Sequence, residues 1–247
     1  MVGPIFSRLF DLTIVGLENL PADGPAIIAA NHTSVIDSFI VPAILPRNIS
    51  YVGKAEYLDD WKTKHIFPAL GMIPIDRSGG DAAMAALDSA ASLLDQGELF
   101  GIYPEGTRSR TGHLYKGRTG VARLSHRTGA PIVPTGLTGM REIQPPDAAM
   151  PKFFTKATIK FGEPLHCDEY GNPSVDPLAF RALTDALMFR IQHLSGQKYI
   201  HQYAPSKTEL EAGPEASSTP ERSERADVTD ERPLDLRQTA TDLLNAR

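Results

Sequence analysis

Short apolar runs and longer amphipathic stretches alternate along most of this chain. Asp11 to Gly16 alternates with the two-residue period of a strand, Pro21 to Pro25 reads as a turn, and Ala26 to Ala30 is apolar throughout, as a strand buried on both faces would be. Further strands are predicted at Ile49 to Gly53, Met72 to Ile75, Leu99 to Tyr103, Ile132 to Thr135 and Ala157 to Gly162. Between them, helical spacing appears from Glu56 to Leu70, Asp81 to Gln96, Gly117 to Thr128 and Pro177 to Leu194. The Asp81 helix carries Met84, Leu87 and Leu94 on one face and stops at Gly97. One more helix should begin after Ser34, which can cap it, with Asp37 where a capping-box carboxylate falls. This order predicts an α/β fold, a single domain with a central mixed, largely parallel sheet flanked by helices.

The two ends of the chain have different patterns. Within residues 1–12, Val2, Ile5, Phe6, Leu9 and Phe10 share one helical face. A short amphipathic helix there would serve as an interfacial anchor or dock on its own core. Residues 13–204 form the predicted domain. From 205 to 247 the chain turns to Pro, Ser, Thr, Glu and Arg, with no aromatic residue, which predicts a disordered tail.

Charge narrows the possible partners. Residues 1–204 hold 19 Lys and Arg against 20 Asp and Glu, leaving 6 and 10 of the chain's 25 and 30 for the tail. A nearly neutral domain lacks the basic excess that nucleic-acid binding requires. The single cysteine, Cys167, excludes an intramolecular disulfide and a cysteine-based zinc site, and fits a reducing compartment. No run of apolar residues is long enough to span a bilayer, and the N-terminus lacks the apolar centre of a signal peptide.

Candidate chemistry collects at predicted strand ends. In Asn31-His32-Thr33-Ser34-Val35-Ile36-Asp37 an imidazole and a carboxylate stand five positions apart, the layout of a general base and its orienting acid. A spacing of that kind arises by chance in about 0.5 places in a chain of this make-up, so its companions decide its meaning. Tyr103-Pro104-Glu105-Gly106-Thr107-Arg108-Ser109 closes another strand. There Gly106 lets backbone approach a ligand, Thr107 and Ser109 bring hydroxyls, and Arg108 has the forked donors that match phosphate. Glu105 would repel an anion and is expected to hold Arg108 or a substrate hydroxyl instead. Gly71-Met72-Ile73-Pro74-Ile75-Asp76-Arg77 delivers a further cation, and Lys116 and Arg118 flank Gly117. Ligands of open α/β sheets gather beyond the carboxyl ends of the strands, where His32, Arg77 and Arg108 are all predicted. His65, His113 and His126 show no zinc-ligand pattern around His32.

In these blocks the chain resembles the glycerolipid acyltransferases typified by 1-acylglycerol-3-phosphate acyltransferase. Asn31 to Asp37, Gly71 to Arg77, Pro104 to Ser109 and the Val133-Pro134 pair occur in the family's order. The resemblance implies transfer of an acyl group from a thioester, on coenzyme A or acyl carrier protein, to the free hydroxyl of lysophosphatidic acid. No resident cofactor or metal is implied. His32 would be the base and Asp37 its orienting partner. Arg77, Glu105, Gly106, Thr107 and Arg108, with Lys116 or Arg118, would hold the glycerol phosphate, and Val133 and Pro134 would shape the acyl or thioester site. Another lysolipid or glycerophosphate acceptor, or lipid binding without turnover, stays open. A His-Asp hydrolase would need a nucleophile elbow, and no Gly-x-Ser-x-Gly is present. Such an enzyme would work from the cytoplasmic face of a membrane, peripherally or monotopically, through residues 2–12 and the Tyr57, Trp61, Ile66 and Phe67 face with Lys62 and Lys64 beside it.

Overall fold

The structure, a computed structural model, describes residues 8–54, 72–75, 82–172, 176, 178–205 and 209–210. Met1–Pro205 form one compact unit and Ser206–Arg247 a second. In the second unit the described residues, 209 and 210, are helical.

Seven strands make the main sheet of the first unit: β1 (Leu12–Val15), β2 (Ala26–Ala30), β3 (Ile49–Lys54), β4 (Met72–Ile75), β5 (Leu99–Ile102), β7 (Ile132–Thr138) and β8 (Ala157–Phe161). Their spatial order is β1-β8-β7-β2-β5-β3-β4. Every neighbouring pair is parallel except β7 and β8. The mixed, largely parallel sheet read from the sequence is therefore present. β6 (Leu114–Tyr115) and β9 (Tyr199–Ile200) form a separate two-stranded parallel ladder.

Helices cover both faces, which is why β2 is apolar at every position. Ala26, Ile28 and Ala30 pack in one core with α1 (Asp37–Ile44) and α4 (Met140–Ile143). Ile27 and Ala29 face the opposite core, shared with α2 (Ala82–Asp95), α3 (Gly120–Thr128) and α5 (Ala179–Ser195). At about 25 cal/mol per Å² of apolar surface removed from water, these two layers are the chief source of stability.

Several boundaries depart from the sequence pattern, each for a local reason. The third helix starts at Gly120 rather than Gly117, because the Lys116 and Arg118 N–H groups donate instead to Gln202 O and Pro104 O. β7 runs on to Thr138 because it changes partner: Ile132 to Thr135 pair with β2, and Thr135 to Thr138 pair with β8. The expected N-terminal helix reaches Arg8 and Leu9, and Phe10 is 2% exposed within the core, so this end docks inward. Val2, Ile5 and Phe6 lie outside the described residues, as do the expected helix from Glu56 to Leu70 and its Tyr57, Trp61, Ile66 and Phe67 face.

Gly101 in β5 is required by packing. A Cβ at this position would come within 2.1 to 2.6 Å of three atoms of the buried Tyr51 ring. Gly101→Ala should therefore displace that ring and cost about 1–3 kcal/mol. Chemical denaturation of both proteins tests this, and an unchanged midpoint would show that Tyr51 relocates freely.

Candidate active site

Parallel β2 and β5 are neighbours, with Ala29 opposite Ile102, so the loops after them emerge side by side. Asn31 secures the first loop. Its side chain, fully buried, donates to Leu137 O at 2.9 Å and accepts from Leu137 N–H at 2.7 Å, adding a side-chain step to the β2–β7 ladder. His32 follows directly.

Asp37 meets His32 from the first turn of α1. Its Oδ2 lies 2.9 Å from His32 Nδ1 and accepts the N–H groups of Thr33 and Ser34 at 2.8 and 2.9 Å. An oxygen that accepts from two backbone donors offers its third neighbour an acceptor too, so Nδ1 carries the proton. Nε2 is left with its lone pair directed away from Asp37, on a ring whose side chain is 14% exposed. Through one atom Asp37 thus holds His32 and the loop before the helix, whereas the helix itself starts at Asp37 with Ile36 at its N-cap and no side-chain cap, so the expected capping box is not formed. Ser34 does not cap in the expected way. Its hydroxyl donates to Gln144 O at 2.7 Å and accepts from Ile36 N–H at 3.3 Å.

Tyr103 closes the other side of the imidazole. Its ring stacks on His32 at 3.8 Å and 9°, and its hydroxyl lies 3.1 Å from Ser38 Oγ. Tyr51 stacks behind it at 5.7 Å. Burial first, and then neighbouring Asp37, raise both tyrosine pKa values, with Tyr51 contributing to the shift on Tyr103 ahead of Asp37. The two phenols stay protonated and add no negative charge beside His32.

Glu105 occupies a place that its sequence context did not predict. It is 1% exposed, and both oxygens accept backbone donors: Oε1 from His32 N–H at 3.1 Å, Oε2 from Tyr115 N–H at 2.9 Å. The expected hold on Arg108 or a substrate hydroxyl is replaced by a brace between loops, because a buried carboxylate needs donors on every side. Ser109 N–H completes the grip by donating to His32 O at 2.7 Å. Burial pushes the Glu105 carboxyl up to about 7; the Tyr115 and His32 N–H groups pull it down, and Asp37 pushes it up again.

Gly106 has φ 77°, closes a turn by donating to Tyr103 O at 2.9 Å, and leaves room for Arg118, whose Nε would lie 3.0 Å from a Cβ there. Only glycine meets both demands. Arg118 and Lys116 converge on the ring of Tyr203, at 5.1 and 5.4 Å from its centroid. Thr107 is exposed and Arg108 half-buried. Among the described residues no carboxylate pairs with Arg108, Lys116 or Arg118, whereas Arg110, Arg127 and Arg181 pair with Asp147, Asp88 and Asp185. Unpaired cations around a glycine turn suit an anion.

Two expectations fare differently. Arg77 lies outside the described residues. Val133 and Pro134 sit inside the sheet opposite Ile28 and Ala29, and Val133 is fully buried in the core. Pro134 is tolerated in this central strand because its backbone faces the β8 side between the Leu165 bridge to Ile132 and the start of the β8 ladder at Thr135. Among the described residues no group of three or more His, Cys, Asp or Glu is placed to hold a metal ion.

The profile of the Acyltransferase family matches residues 11–138, which include the whole loop from Asn31 to Asp37 and the Glu105 brace. This chain is a member of that acyltransferase family. It is 31% identical over 198 residues to the 1-acyl-sn-glycerol-3-phosphate acyltransferase of Bacillus subtilis, covering 78% of this chain and 92% of that protein. It is 29% identical over 137 residues to the chloroplastic 1-acyl-sn-glycerol-3-phosphate acyltransferase LPAT1 of Arabidopsis thaliana, covering 55% of this chain and 38% of that one. The crystal structure of the 1-acyl-sn-glycerophosphate acyltransferase PlsC from Thermotoga maritima superposes with a TM-score of 0.61 at 23% identity, covering 78% and 76% of the two chains, a likeness of fold.

The acyltransferase brace yields a prediction in which stability and turnover separate. A carboxyl raised from 4.5 to about 7 holds its proton longer in the folded state. Its contribution to stability is complete below about 4.5 and is lost as the pH rises through about 7. Glu105→Gln does not titrate, so its melting temperature should climb relative to wild type across that window. Its amide also turns a donor toward one of the two N–H groups, which should shift His32 and lower turnover by roughly tenfold to a hundredfold. A melting difference independent of pH would refute the buried-carboxylate account.

Proposed function

We propose that this acyltransferase moves a fatty acyl group from a thioester, on coenzyme A or acyl carrier protein, to the free hydroxyl of 1-acylglycerol-3-phosphate, giving phosphatidic acid for phospholipid synthesis. The observation that carries this reading is one juxtaposition. A His32 ring with Nδ1 committed to Asp37 and Nε2 free stands on the loop that Glu105 ties to the unpaired cations of the phosphate loop. The names of the relatives support the same acceptor.

In this mechanism the acceptor hydroxyl gives its proton to His32 Nε2 as its oxygen attacks the thioester carbonyl. Asp37 steadies the imidazolium that forms. The tetrahedral intermediate then expels the thiolate, which takes the proton from the His32 imidazolium and leaves the base neutral again. No covalent enzyme intermediate is needed, so the absence of a nucleophile elbow is consistent. Arg108, with Arg118 and Lys116 and, by resemblance, Arg77, would hold the phosphate. Glu105 and Gly106 act on this site by shaping its loops, and Thr107 stands exposed at the turn. The enzyme would work peripherally at the cytoplasmic face of a membrane, where its lipid lies. No helix among the described residues is long and apolar enough to cross a bilayer.

Purified protein incubated with acyl-coenzyme A and a panel of lysolipids, with products followed by mass spectrometry, tests the reading. Phosphatidic acid should form from lysophosphatidic acid ahead of other acceptors. His32→Ala should lose about 10²- to 10⁴-fold in turnover; equal activity would eliminate His32 as the base. Arg108→Ala should raise KM for lysophosphatidic acid by roughly tenfold to a hundredfold, as loss of a charged hydrogen bond implies. If it instead spares that acceptor and weakens thioester use alone, the cations serve the donor.

A further inference from the structure

Because β8 runs antiparallel to β7, it begins at the sheet edge where β2 and β5 end. β1 is parallel to β8, so residues 8–11 enter at that same edge. The loop leading into β8 therefore stands beside the catalytic loops, and direct contacts tie it there. Ser34 Oγ donates to Gln144 O, Arg110 pairs with Asp147 at 2.9 Å, and Lys152 N–H donates to Ile143 O at 2.7 Å.

The tip of this loop is Met150-Pro151-Lys152-Phe153-Phe154-Thr155-Lys156. Met150 is 70% exposed, Phe153 47% and Phe154 80%. Exposed apolar residues standing singly need no explanation; three within five positions, flanked by exposed Lys152 and Lys156 with no acidic residue between, do. Phe154 also has φ 58°, left-handed backbone that a bulky residue rarely adopts. That conformation is held from below, where Phe154 N–H donates to Leu9 O at 2.8 Å and the Phe153 ring rests 5.6 Å from Phe10. Phe10 is core, so the loop stands on a rigid base. Thus the fold accepts backbone strain and directs the Phe154 ring into solvent, at the edge where a lipid acceptor must arrive.

We propose that the Met150–Lys156 loop docks the enzyme on an anionic bilayer. Phe154 and Met150 enter the head-group region, Lys152 and Lys156 meet lipid phosphates, and the His32 edge turns toward the membrane. The proposal rests on the reading that the acceptor is a membrane lipid, and its test is independent of turnover.

Asparagine tolerates left-handed backbone, so Phe154→Asn removes the ring while relieving the strain. Its melting temperature should equal or exceed that of wild type, the opposite of what loss of a packed ring would give. In sedimentation with vesicles of phosphatidylcholine and phosphatidylglycerol in equal parts, it should partition about tenfold more weakly. Lys152→Glu should weaken the same binding by about tenfold, and the difference should vanish with pure phosphatidylcholine vesicles or high salt. Both variants should keep wild-type turnover on a short-chain, water-soluble lysophosphatidic acid. Unchanged vesicle binding by Phe154→Asn overturns the docking role. A lower melting temperature, or a change in sedimentation coefficient without vesicles, overturns it too, in favour of a packed ring or a contact with a second copy. If vesicles bind as expected but wild type turns over no lysophosphatidic acid, the acceptor assignment fails and the docking surface stands.

Discussion

The buried Glu105 carboxylate is the interaction on which this site depends. One oxygen accepts the His32 N–H and the other the Tyr115 N–H, so a single side chain fixes the separation of the His32 loop from the strand that leads to Lys116 and Arg118. A carboxylate in that position costs desolvation free energy, visible in its upward-shifted pKa, and the two backbone donors offset that cost. With either donor missing, the remaining charge would be buried with half its coordination, a larger penalty than the bond itself is worth. The loop carrying His32 and the strand leading to Lys116 and Arg118 are thereby coupled through main chain.

The same coupling reaches the end of the domain. β9 pairs with β6, and Lys116 N–H donates to Gln202 O, so the last turn of the first unit holds the strand that Glu105 grips. Tyr203 then gathers Lys116 and Arg118 over one ring, which keeps two like charges near each other without a carboxylate to neutralise them. Tyr199 to Tyr203 lie beyond the 11–138 stretch that carries the family match, whereas Lys116 and Arg118 lie within it. A segment outside the stretch matched by the family profile thus sets the geometry of cations within it.

How much of this was legible in the sequence follows from what kind of partner each residue has. Apolar runs announced β2 and β5, and motif residues at their ends placed His32, Asp37 and Arg108 at one edge, because strand direction alone carries them there. Glu105 was misjudged since its partners are backbone N–H groups, which every residue possesses and no pattern marks. Val133 and Pro134 were assigned to the site from their place in a motif order, yet sequence order is silent about depth within a sheet. Phe10 fitted an anchor and a docked helix equally well, because a helical face reads alike whether it meets lipid or its own core. β6 and β9 are two residues each, too short to produce a period at all.

Tyr103 illustrates why a histidine at such an edge needs more than an orienting acid. Asp37 fixes Nδ1 but leaves the imidazole free to swing about that one bond. The stacked phenol at 3.8 Å restricts the swing from one face, and the Ser38 contact, from the helix that also carries Asp37, restrains Tyr103 itself. Tyr51, seated over Gly101, backs the stack in turn. The path from a strand glycine to the plane of the His32 ring is thus continuous contact, so ring orientation is a property of the sheet interior as well as of the loop.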